Sequence, residues 1–139
     1  MIALIDTNIL IDYLLSREDC KSAEKIIDDF CTEGKVIGFI AGHSIPDIFY
    51  ILRKDFSNEE RRRILLDLLD ILNVCTIDKT KLISALQQES FTDFEDCLQS
   101  KCAEDIAADY IITRNPKDFS ESSVKVISPN EFVKLVEEN

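Results

Sequence analysis

Five apolar runs of strand length constrain this chain more than any other feature: Ile2–Ile5, Val36–Ile40, Val74–Ile77, Tyr110–Thr113 and Lys125–Ile127. Several are continuous rather than alternating, the pattern of strands covered on both faces. Helical stripes lie between them. Ile26, Ile27 and Phe30 mark a helix that ends near Gly34, and Ile45, Ile48, Phe49 and Leu52 mark one over Ser44–Arg53. Ile64, Leu65, Leu68, Leu69 and Leu72 follow the charged start Glu59–Arg63, and Phe94, Cys97, Leu98 and Cys102 mark another helix. A last helix, Asn130–Glu138, starts from Ser128-Pro129. Strands alternating with helices predict an α/β fold with a mostly parallel sheet and helices on both faces. At 139 residues the chain reads as one domain, 1–139.

Open parallel sheets form their sites outside the carboxyl ends of the strands. The first strand runs into Asp6, Thr7 and Asn8. Asp6 has a local use as the N-cap of a helix through Ile9–Leu14. Ser44 and Asp47 have capping-box spacing, and so do Thr92 and Glu95. Asp93 and Asp96 are three apart and share a helix face, where each repels the other and a cation relieves them. After a late strand, "YIITRNPKDF" places Thr113, Arg114, Asn115 and Asp118 at the same sheet edge as Asp6. Each signal is weak alone. Together they bring carboxylates to one edge, and oxygen ligands of this kind suit Mg²⁺ or Mn²⁺.

Charge and cysteine content bound the function further. The formal net charge is −11, which argues against a broad cationic surface for coating nucleic acid. It leaves phosphodiester chemistry open, because a metal ion supplies positive charge locally. The five cysteines are odd in number and form no CxxC pair, so the expectation is reduced thiols in a cytosol. No run approaches a membrane span, and the N-terminus does not read as a signal peptide. His43 is the only histidine and reads as a helix-start residue.

With these residues in order, the chain resembles the PIN-domain family of metal-dependent ribonucleases, in its small VapC-like toxin branch. "LIDTNILIDYL" looks like the family's opening strand and first acidic motif. "SIPDIFYILRK", "DFEDCLQSKCA" and "DYIITRNPKDF" look like its second, third and fourth. The resemblance implies a three-layer α/β/α sandwich. It also implies that Asp6 and Asp96 bind metal, that Asp93 assists from the same helix, and that Asp47 is catalytic where many members have Glu. Asn115 stands where many members carry a fourth acid, a charge that Asp118 could supply instead. Thr7, Asn8, Ser44 and Thr113 become supporting hydrogen-bond partners, and Arg114 and Lys117 become contacts for substrate phosphates.

The activity so implied is Mg²⁺- or Mn²⁺-dependent endonucleolytic cleavage of single-stranded RNA by the toxin of a toxin–antitoxin pair. The partners are an antitoxin protein and a second copy of the chain. The alternative is a non-catalytic PIN-like module that binds protein or RNA. A phosphatase of the DxDxT type wants an acid where Asn8 stands. A receiver wants paired acids at strand one and a Lys after a late strand. Leu65, Leu66, Leu68, Leu69 and Leu72 are too many for one narrow stripe, which means either deep burial or an interface.

Overall fold

A computed structural model describes residues 1–139. In chain order the elements are β1 (Ile2–Ile5), α1 (Thr7–Leu14), α2 (Lys21–Glu24, continued by a π-helical stretch Lys25–Cys31), β2 (Ile37–Ala41) and α3 (Ser44–Ile51, closed by a 3₁₀ turn Leu52–Lys54). Then come α4 (Asn58–Ile71), β3 (Asn73–Cys75), α5 (Lys79–Gln87), α6 (Phe94–Asp105), β4 (Tyr110–Ile112), a 3₁₀ turn Pro116–Phe119, β5 (Val126–Ile127) and α7 (Pro129–Glu137). The strands make one five-stranded sheet, order β3-β2-β1-β4-β5, and every pairing is parallel. The chain runs outward from β1 to β3, then returns to lay β4 and β5 on the other side of β1. The reversal of strand order therefore falls at β1, the place where such sheets open a crevice.

Strand alternation builds two cores. Ala3 and Ile5 of β1 and Ile112 of β4 pack with α1, α2, α4 and α7 through Leu10, Ile27, Leu68 and Phe132. Leu4 and Ile111 face the other way, against Ala85 of α5 and Cys97, Leu98 and Cys102 of α6. Side chains that alternate across the sheet thus feed both helical layers, which is why the strands read as continuous apolar runs.

Helix starts follow local chemistry, though not always at the expected residue. A reciprocal capping box joins Ser57 and Glu60 at α4, and Ser128 caps α7 with Pro129 in its first turn. The box expected of Ser44 and Asp47 does not form: His43 occupies the N-cap position without a side-chain cap, and Ser44 is spent on Thr7. The box expected of Thr92 and Glu95 does not form either, because Asp93 is the N-cap and accepts from the Asp96 N–H at 3.0 Å. Asp6 stands at the N-cap position of α1 but makes no side-chain cap bond. Helix α5 was not expected from the apolar pattern. It buries only Ala85 and leaves Leu82, Ile83 and Leu86 exposed, so its stripe is faint, although Asp78 caps it onto the Lys81 N–H. The leucine-rich stripe splits: Leu65 and Leu68 of α4 and Leu72 just past its end are buried, while Leu66 is 65% and Leu69 36% exposed.

Third- and fourth-strand boundaries differ by one or two residues from the apolar runs, since Thr76, Ile77 and Thr113 lie beyond the last ladder pairs. All five cysteines are free thiols. No helix is long and apolar enough to cross a membrane.

Candidate functional site

Parallel pairing sets Ile5 of β1 opposite Ile112 of β4, so Asp6 and Thr113 leave the sheet side by side. The Asp6 N–H donates to the Ile112 carbonyl at 3.0 Å. The Thr113 hydroxyl donates to Asp6 Oδ2 at 2.8 Å, and its oxygen accepts from the Asn115 N–H at 3.2 Å. From α6, Gln99 Nε2 donates to Asp6 Oδ1 at 2.8 Å. Asp6 keeps the parity of Leu4 along the strand, which turns it toward α6. Asp6 is only 4% exposed, and its carboxylate is gripped on both oxygens, each with lone-pair capacity left. This is the use the chain makes of Asp6 in place of capping.

Asp96 lies one turn before Gln99 on the same side of α6. It lines one cleft of about 310 Å³ together with Asp6, Asn8, Asp47, Tyr50 and Gln99. Burial, then the charges of Asp93, Asp6, Asp118 and Glu95, push the Asp96 carboxyl up to about 7. Thr7 and Ser44 share a hydrogen bond of 2.7 Å that ties the start of α1 to the start of α3 and sets Asp47 at the cleft.

Other expected residues lie elsewhere. Asp93, Lys117 and Asp118 line an adjoining cleft on the far side of Asp96, and Asp93 is committed to its cap. Asn115 is exposed and lines neither cleft. Arg114 does not reach toward the acidic cleft: its Nε is bound to Asp12 Oδ2 at 3.0 Å, beside a separate cleft lined by Ser22 and Asn130. His43 stays outside the acidic lining. No three Asp, Glu, His or Cys side chains gather closely enough to hold an ion among themselves. Asp93 stays beside Asp96, with one carboxylate oxygen on its cap, and lines the adjoining cleft with it rather than the one that holds Asp6.

Two residues escaped the sequence reading. Gln99 is 3% exposed, and its Oε1 is buried without a partner. A polar residue inside the buried stripe Cys97–Ala103 was the available signal. Asp12 is buried too and accepts from Arg17 at 3.2 Å as well as from Arg114. It falls among the apolar residues of α1, which is unusual for a carboxylate and also legible.

The donors at the acidic cleft are all oxygens, one carboxyl is costly to ionise there, and a buried carbonyl oxygen lacks a partner. That set fits a hard divalent cation, which binds through one or two carboxylates and keeps its waters. Asp6 and Asp96 are the residues that would hold it.

The PIN domain family matches residues 3–117 of the chain. The chain belongs to the PIN-domain family. Solved structures with the same fold include VapBC-1 from nontypeable Haemophilus influenzae, at TM-score 0.71 and 17% identity over 94% of this chain and 99% of that one. A toxin–antitoxin complex from Klebsiella pneumoniae matches at TM-score 0.65 and 26% identity, over 91% of this chain and 97% of that one. VapC20 from Mycobacterium tuberculosis, a sarcin-ricin loop cleaving toxin, matches at TM-score 0.61 and 9% identity, over 78% of this chain and 86% of that one. No curated protein matches this PIN domain. The α/β architecture with its parallel sheet is the one the PIN family has, in agreement with the sequence expectation.

Proposed function

We propose that this PIN domain is a metal-dependent endoribonuclease acting on single-stranded RNA in the cytoplasm, as the toxin of a toxin–antitoxin pair. The observation that carries the reading is the meeting of Asp6 and Asp96 in one cleft at the sheet's switch point. A divalent ion at such a site supplies Lewis acidity toward water and toward a phosphate oxygen. The chain's own groups do the rest. Asp6, fixed by Gln99 and Thr113, presents an aimed carboxylate. Asp96, whose carboxyl is costly to ionise beside Asp93 and Asp6, gains most from a cation that relieves this repulsion, and would hold the ion with Asp6. Asp47 borders the same cleft and is the candidate for a further carboxylate toward the ion, directly or through water.

The toxin role is supported by the likeness to toxin–antitoxin complexes. Exposed Leu66 and Leu69 on α4 and Leu82, Ile83 and Leu86 on α5 supply apolar area for an antitoxin or a second copy of the chain. A sizing column read against standards tests the homodimer.

Asp6→Asn tests the chemistry. The amide keeps an oxygen toward Gln99 and turns its NH₂ to the Thr113 oxygen, so the fold survives. Purified protein should lose Mn²⁺-dependent cleavage of single-stranded RNA while unfolding as the parent does. Full activity in this variant refutes the assignment. Absence of cleavage in the parent, with partner binding retained, favours the non-catalytic module.

A further inference from the structure

Gln99 makes contacts that a packing residue does not need. Its Nε2 donates to Asp6 Oδ1 at 2.8 Å, across 93 residues of chain. An ionised carboxylate only accepts, so the amide nitrogen must face Asp6 and the carbonyl oxygen must face away from it. That oxygen, Oε1, is sealed from bulk solvent and has no partner in the chain. Buried carbonyls are seldom left so. Gln99 also lines the cleft that holds Asp96, one helical turn earlier.

Charge explains the residue type. Asp93, Asp6, Asp118 and Glu95 all act on Asp96. A further acid on this face of α6 would add to that repulsion. An amide brings an oxygen without a charge, and a donor for Asp6 as well.

We propose that Gln99 is the positioning residue of this site: it aims Asp6 through Nε2 and offers Oε1 as a neutral acceptor for a water of the hydrated divalent cation shared by Asp6 and Asp96. The proposal rests on the metal-dependent reading above. It assigns to Gln99 a role in ion affinity that is separate from packing.

The test is calorimetric titration of the full chain with Mn²⁺, joined to thermal unfolding with EDTA or with Mn²⁺. The parent should bind Mn²⁺, and Asp96→Ala should abolish that binding. Gln99→Met keeps the bulk and removes both polar ends. Its affinity for Mn²⁺ should fall about 10- to 100-fold, as when partners behind metal ligands are removed. Gln99→Glu sets a second carboxylate against Asp6. Its melting temperature in EDTA should fall, and Mn²⁺ should raise it by more than it raises the parent's. A buried residue that only packs would give no such metal-dependent difference. Mn²⁺ affinity for Gln99→Met within twofold of the parent, or equal Mn²⁺-induced rises for Gln99→Glu and parent, overturns the role of Gln99 while leaving the metal reading in place. Should Gln99→Met not fold, Gln99→Glu decides. Parent protein with no Mn²⁺ binding sensitive to Asp96→Ala removes both readings together.

Discussion

Thr113 and Asp6 are 107 residues apart in the chain, yet the Thr113 hydroxyl donates to Asp6 Oδ2 at 2.8 Å. Their strands are register partners, so the two side chains emerge together at the carboxyl edge of the sheet. The same hydroxyl oxygen accepts from the Asn115 N–H and so shapes the turn that follows. One buried group thus serves both the carboxylate and the loop.

Thr113→Val should therefore destabilise the protein by about 2 kcal/mol, the usual cost of removing a buried hydrogen bond to a charged group. Urea unfolding measures it. Thr113→Ser should recover most of the loss. Equal midpoints for parent and Thr113→Val would show that the bond contributes nothing to folding.

Arg114 is paired with buried Asp12, which also binds Arg17. Arg114→Ala should cost about 1 kcal/mol, since Arg114 is half exposed, solvent screens the attraction, and Arg17 remains. The loss should shrink at high salt, and RNA cleavage should fall far less than in Asp6→Asn. The opposite pattern, unchanged stability with RNA binding lost, would return Arg114 to a phosphate-contact role.

Asp96 gives a pH signature to the metal-free protein. Its folded-state value of about 7 lies above that of an ordinary carboxyl, so between the two the native state holds a proton that the unfolded chain has released. Its contribution to stability is fully present below the unfolded value, about pH 4, and is lost as pH rises through about 7. Melting temperatures in EDTA from pH 5 to pH 8 should fall more steeply for the parent than for Asp96→Asn. Parallel slopes would mean that Asp96 does not titrate differently in the fold.

Much of the fold is visible in the apolar runs. Ile2–Ile5 is a strand with those same bounds, and Leu65 and Leu68 of the expected stripe form the buried edge of α4. These features are legible because burial on two faces forces unbroken apolar residues, and burial on one helical face forces a 3.6-residue period. Helix α5 was not legible for the converse reason: an element that buries one alanine carries almost no pattern. The capping readings at Ser44 and Thr92 failed because several neighbouring polar residues suit a cap, and tertiary partners chose among them. Ser44 went to Thr7, and Asp93 took the place expected of Thr92.

The sequence by itself determined the layered α/β architecture and the presence of acids after the strands, since both follow from local pattern. Only the tertiary structure decided which acids meet. Asp6 and Asp96 share a cleft, Asp93 is held on the far side of Asp96, and Arg114 is turned away onto Asp12. Strand register and the seating of α6 fix these distances. No spacing along the chain encodes them, because they depend on elements about 90 residues apart closing on one another.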